Sequence, residues 1–183
     1  MSQQLQELRR QIATIDREIV AALAERSRYV FLPPPAPVAS AEPQDTALIA
    51  RILEHYESRV ARALAADVSE EPHNPEACAR ADHAVIAAIL RRLRVVLEIA
   101  RVKENNQRAH FRALIASRDS AALEAAITQP TVETQVVARA AQHADELRTS
   151  DMPADLPDRV AMVYLDSIIP LARQVQVDAL LGT

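Results

Sequence analysis

The stretch QQLQELRRQIATIDREIVAALAERSRYVF, residues 3–31, decides the fold class. Its apolar residues Leu5, Leu8, Ile12, Ile15, Ile19 and Leu23 recur at steps of three and four. That is one stripe of an amphipathic helix, not the alternation of a half-buried strand. The stripe covers about eight turns and stops before Pro33-Pro34-Pro35-Ala36-Pro37, a run that no helix survives.

Working outward, the same period returns over about 46–66, with Leu48, Ile49, Ile52, Leu53, Tyr56 and Val60 on one face. It returns again over about 76–105, 130–148 and 158–181. Shorter helices are predicted at 107–117 and 119–127, the second opened by Asp119 as its N-cap. Pro130 suits the first position of the helix that follows, and the last helix, with Pro170 in its interior, is expected to bend there. Residues 33–43 read as a proline-rich connector and 68–76 as a loop. The expectation is an all-α bundle of about five to six helices, three of them long, occupying 1–183 as one domain.

Composition narrows the function. The 183 residues include 35 alanines and a single glycine, Gly182, so neither a glycine-rich phosphate loop nor a dinucleotide-binding fingerprint is present. A net charge of −4 offers no basic field for nucleic acid, and no apolar run is long enough to span a membrane. Cys78 is the single cysteine and cannot form an internal disulfide; with no signal-peptide core, a cytoplasmic setting is expected. The five histidines lack metal-ligand spacing, and no metal or cofactor is expected. Of the 21 cationic residues only Lys103 is a lysine.

Polar residues on apolar faces are the informative ones. Arg92 and Lys103 lie 11 positions apart on the third long segment, within about 20° of one line. Val95, Val96 and Ile99 lie between them, so the pair either converges on a ligand or snorkels to solvent around a core stripe. Gln176 shares a face with Ile169, Ala172 and Leu180 and should point into the bundle, as a satisfied core amide or a ligand contact. Glu133 follows Pro130 in a first helical turn, where the dipole alone favours a carboxylate. Gln129 is either a helix-start residue or a contact. Arg9 adjoins the first stripe, and Asp16 two turns later is a candidate to neutralise it. No local arrangement identifies a nucleophile. Together these residues suit a small dianion without covalent chemistry.

Three segments carry a resemblance to a known family. They are LQELRRQIATIDREIVAALAERSRYVF (5–31), ILRRLRVVLEIARVKE (89–104) with FRALIASRDSAALEAAITQPTVETQVVARA (111–140), and VYLDSIIPLARQVQVDALL (163–181). In that order they resemble the all-helical chorismate mutases of the fungal and plant branch, over about two thirds of the chain. The interior Pro170 followed by Val175-Gln176-Val177 is the most specific of them.

The resemblance implies rearrangement of chorismate to prephenate in aromatic amino-acid biosynthesis. It implies Arg9 and Arg92 on the substrate carboxylates, Lys103 on the ether oxygen and a carboxylate, Glu133 on the ring hydroxyl and Gln176 donating to the ether oxygen. Gln129, Ile169 and Ala172 complete the implied substrate contacts, and a homodimer is implied. Gln176 stands where the fungal members commonly carry glutamate, so little change in activity is expected between about pH 5 and 8, an amide having no titration. Ala172 replaces a Thr or Ser of the family pattern and Gln129 an Asn or Asp. Glu76-Ala77 stands where the fungal effector segment carries Gly-Ser, so feedback by tyrosine or tryptophan is not expected there. Two other readings stay open: an isochorismate pyruvate lyase or another chorismate-using relative, and a non-catalytic regulatory bundle.

Overall fold

The structure is a computed structural model whose described residues are 3–32, 43–65 and 74–182. Among them there are seven helices, the two short ones counted separately, and no strand. They are α1 (Gln3–Arg26), α2 (43–64), α3 (Pro75–Asn106), α4 (Arg108–Ser117), α5 (Ser120–Ile127), α6 (Pro130–Leu147) and α7 (156–181). The segment 33–42 and most of the 68–76 loop lie outside the described residues.

Local chemistry sets the ends. Asn74 and Asp119 accept from the backbone N–H groups of Ala77 (2.9 Å) and Ala122 (3.0 Å), capping α3 and α5. Pro130 opens α6, where its missing N–H costs nothing. Helix α1 stops at Arg26, short of Phe31 where the apolar pattern runs out. The reason is side-chain competition. Ser27 Oγ donates to the Ala24 carbonyl (2.7 Å), and Arg26 Nη1 turns back onto the carbonyls of Tyr29 (3.0 Å) and Val30 (3.3 Å).

Helices α1 and α3 form the centre, joined by Ile19, Val20 and Leu23 from one and Val85, Ile89 and Leu93 from the other. Helices α6 and α7 cover them through Ala140, Ala144, Val160 and Val163. Two satellite clusters shape one end of the bundle. Leu5 and Leu8 pack on Val102, tying the start of α1 to the end of α3. Phe111, Leu123 and Ile127 pack on Val177, seating α4 and α5 on α7. Arg9, Lys103 and the α5–α6 junction therefore share that end.

Helices α2 and α7 each contain a π-turn, Tyr56–Val60 and Tyr164–Ile168. The second has a cause in sequence. Pro170 has no N–H for the carbonyl of Asp166 four residues earlier, and the chain absorbs an extra residue just before it. That carbonyl instead accepts from Arg59 Nη1 (2.7 Å), which projects from the other π-turn. Where a bend is expected at Pro170, the helix carries a π-turn that begins at Tyr164. Nothing in the sequence marks the π-turn in α2.

Candidate functional site

Lys103 occupies the last turn of α3, half-buried, and Nζ donates to the Ile127 carbonyl (2.5 Å) at the C-terminal end of α5. A cation is favoured there by the helix dipole. Burial first, then the neighbouring Arg9 guanidinium, holds its ammonium below the ordinary lysine value, with Glu133 acting the other way. Lys103 thus lies within electrostatic reach of both Arg9 and Glu133, although 124 positions in the sequence separate those two. Arg9 Nη2 donates to Gln129 Oε1 (2.6 Å), so Gln129 starts α6 and also holds α1.

Gln176 is buried, as its face requires, and its Nε2 donates to the Val96 carbonyl of α3 (3.0 Å). Each amide nitrogen carries two N–H groups, so one remains for a second acceptor. Ile169 and Ala172 are buried on the same helix. Arg92 is buried, so it does not snorkel to solvent. Its Nε donates to Asp16 Oδ1 (2.8 Å), while its Nη1 is buried without a hydrogen-bond partner among the described residues. Asp16 thus serves Arg92, correcting the expectation that it neutralises Arg9: α1 and α3 are antiparallel, and two turns along α1 bring Asp16 level with Arg92.

Two further side chains carry no candidate signature in the sequence. Arg173 Nε and Nη2 grip both oxygens of Glu133, the first at 3.0 Å, and Arg173 Nη1 lies 3.5 Å from Glu124. The grip on Glu133 raises the Arg173 pKa further and fixes its carboxylate at the mouth of α6. The mark of Arg173 in the sequence is no more than a cation next to Ala172. Tyr164 OH lies 3.1 Å from Asp16 Oδ1 and 3.2 Å from its carbonyl, and burial pushes the phenol well above its ordinary value. In an unbroken α-helix Tyr164 and Gln176 would lie about 120° apart; the residue absorbed by the π-turn brings them within about 20°. No periodicity scan finds that. Among the described residues no cluster of His, Cys, Asp or Glu is arranged to hold a metal.

The candidate side chains are cations, amides and one carboxylate, and among the described residues they include no nucleophile–base pair. Residues 74–177, which include every candidate except Arg9, match the family model for chorismate mutase type II. The chain belongs to the chorismate mutase type II family. It is 28% identical over 138 residues to a chorismate mutase from Pichia angusta, a match covering 71% of this chain and 49% of that protein. The chain thus spans about half the length of that relative. In fold it is similar to Aro7p chorismate mutase from Candida albicans, solved in complex with L-Trp (TM-score 0.78, 18% identity, 95% of this chain and 89% of that one). It is equally similar to AtCM1, solved with phenylalanine in an allosteric site (TM-score 0.78, 17% identity, 97% and 95%). The chorismate mutase type II match ends within α7, one residue past Gln176.

Proposed function

We propose that this chain is a chorismate mutase that converts chorismate to prephenate. The reaction breaks the ether C–O bond and forms a C–C bond within one molecule, with no covalent enzyme intermediate. Catalysis then amounts to holding the reactive conformer and stabilising charge that develops on the ether oxygen. Lys103 has three N–H donors, one of them on Ile127, and reaches the ether oxygen and a carboxylate with the others. The second N–H of Gln176 donates to the same oxygen from the opposite helix. Arg9 and Arg92 take the two carboxylates, and Glu133, oriented by Arg173, accepts from the ring hydroxyl.

The observation that carries this reading is the pinning of each donor by one internal hydrogen bond that leaves capacity for more. Lys103 on Ile127, Gln176 on Val96 and Arg92 on Asp16 are preorganised donors of the kind a charge-separating transition state needs. No described helix is long and apolar enough to cross a membrane, which agrees with a cytoplasmic enzyme. The same reading includes a homodimer, checked by light scattering of the purified chain.

The deciding assay follows loss of chorismate with detection of prephenate, run beside isochorismate with detection of pyruvate. Prephenate formation is expected. Pyruvate release from isochorismate alone assigns a lyase, and turnover of neither assigns a binding module.

A further inference from the structure

Resting on the proposed reaction, we infer that Asp16 and Tyr164 are positioning residues that aim Arg92 at a substrate carboxylate. The inference starts from a duplication in the bundle. Helices α1 and α3 are linked by two arginine–aspartate pairs of opposite polarity, Arg26 with Asp82 and Asp16 with Arg92. In each pair the guanidinium Nε donates to the aspartate Oδ1, at 2.5 and 2.8 Å. In each, a buried tyrosine hydroxyl donates to that same oxygen, Tyr56 for Asp82 and Tyr164 for Asp16. Each tyrosine is the first residue of a π-turn.

Both guanidinium groups keep one buried nitrogen without a partner among the described residues, Arg26 Nη2 and Arg92 Nη1, so an unpaired nitrogen does not by itself mark a ligand contact. The surroundings differ. Arg26 closes over the end of α1, with Nη1 on two backbone carbonyls and its side chain fully buried. Among the described residues Arg92 has no such carbonyl contact; its side chain keeps 7% of its exposure, and it lies one α3 turn from Val96, whose carbonyl holds Gln176.

A guanidinium held by Nε alone keeps its two terminal nitrogens for a planar, paired contact with a carboxylate. The Asp16 charge fixes the plane of that fork. Tyr164 in turn fixes Asp16, since an Oδ1 that accepts from both Nε and a phenol has little freedom to rotate. The π-turn before Pro170 is what brings Tyr164 and Gln176 onto one face, so one backbone feature sets the register of both.

The test is a set of variants assayed with chorismate. Asp16→Asn keeps the shape and removes the charge; KM is expected to rise about tenfold with a smaller change in kcat, the pattern of lost uniform binding. Tyr164→Phe should raise KM by roughly threefold in the same direction. The matched changes Asp82→Asn and Tyr56→Phe should lower thermal stability and leave KM within error. A cycle with Arg92→Lys gives the readout that a structural role does not move. Lysine has no fork to aim, so Asp16→Asn should add little in that background.

Additive effects of Asp16→Asn and Arg92→Lys, or an unchanged KM in both Asp16→Asn and Tyr164→Phe while the wild type turns over, overturn the positioning role alone. A folded wild type with no turnover defeats the functional reading on which it rests. Should Asp16→Asn fail to fold, Tyr164→Phe decides by the same KM criterion.

Discussion

The two Tyr–Asp–Arg clusters between α1 and α3 are built from the same three side chains and the same hydrogen bonds, yet they sit in opposite surroundings. At Arg26 the side chains of arginine and aspartate are 0% and 1% exposed; at Arg92 and Asp16 they are 7% and 12% exposed. The sealed cluster also encloses Cys78, whose Sγ lies 3.7 Å from Asp82 Oδ2 and whose thiol is pushed up mainly by burial. Arg26 then completes its contacts on carbonyls at the end of its own helix, so the cluster is a closed joint. The other cluster leaves Arg92 oriented but incompletely bonded, at the end of the bundle that holds the strip of Val95, Val96 and Ile99. One architecture thus serves as a fastener in one place and as a mount in the other, and the difference lies in what surrounds the arginine.

The largest expected effect falls on the sealed side. Arg26→Ala leaves Asp82 and Tyr56 buried without their cation and should cost about 3–5 kcal/mol of stability. Urea unfolding checks this; a loss under 1 kcal/mol erases the distinction between joint and mount. On the open side the damage moves from stability to rate. Lys103→Ala should cost about 3–4 kcal/mol of transition-state stabilisation, by analogy with removal of an oxyanion donor. Stability should change little, because the ammonium is held partly desolvated in the fold. Wild-type-like kcat/KM in that variant removes Lys103 from the site.

A pH profile separates these two quantities further. The folded-state pKa of Lys103 lies below its ordinary 10.5. As pH rises through the lowered value the folded chain loses this proton while the unfolded chain keeps it. Between the two values the unfolded state therefore binds more protons, and the contribution of Lys103 makes stability rise with pH. Activity should fall across the same window, since the neutral amine carries no charge to stabilise the ether oxygen. Parallel kcat/KM and unfolding titrations are expected to diverge there. An activity limb that sits at 10.5 or above contradicts the desolvated environment.

Gln176→Glu sharpens the picture at the acid end. The Val96 carbonyl beside it repels an ionised carboxylate, so the variant needs a proton where the wild type needs none. Its activity should drop roughly tenfold between pH 5 and 7 while the wild type stays nearly flat. A flat profile in both removes Gln176 from the ether oxygen. The smallest effect is expected for Tyr56→Phe, about 1 kcal/mol of stability for one buried hydrogen bond, read by thermal unfolding.

How far the sequence reached depends on the kind of interaction. The stripes of α1, α3 and α6, the Asp119 cap and the Pro130 start are local, and local chemistry writes them plainly into the chain. Gln176 was legible as buried because its face was, and Lys103 stood out as one lysine among arginines. The pairing of Asp16 is not legible, because the sequence offers only the i to i+7 neighbour along α1 while the partner lies 76 residues away on another helix. Arg173 is not legible, because a cation about 60° off the buried line reads as solvent-facing charge until Glu133 is brought against it.

Periodicity and capping therefore determined by themselves that this chain is a bundle of amphipathic helices with polar residues facing inward, because both act within one or two turns. The tertiary structure alone decided which charges meet. It also decided, through the π-turn that Pro170 provokes, which face of α7 carries Tyr164 beside Gln176. Register across an interrupted helix and partners across a helix–helix contact depend on three-dimensional packing, and no one-dimensional period carries that information.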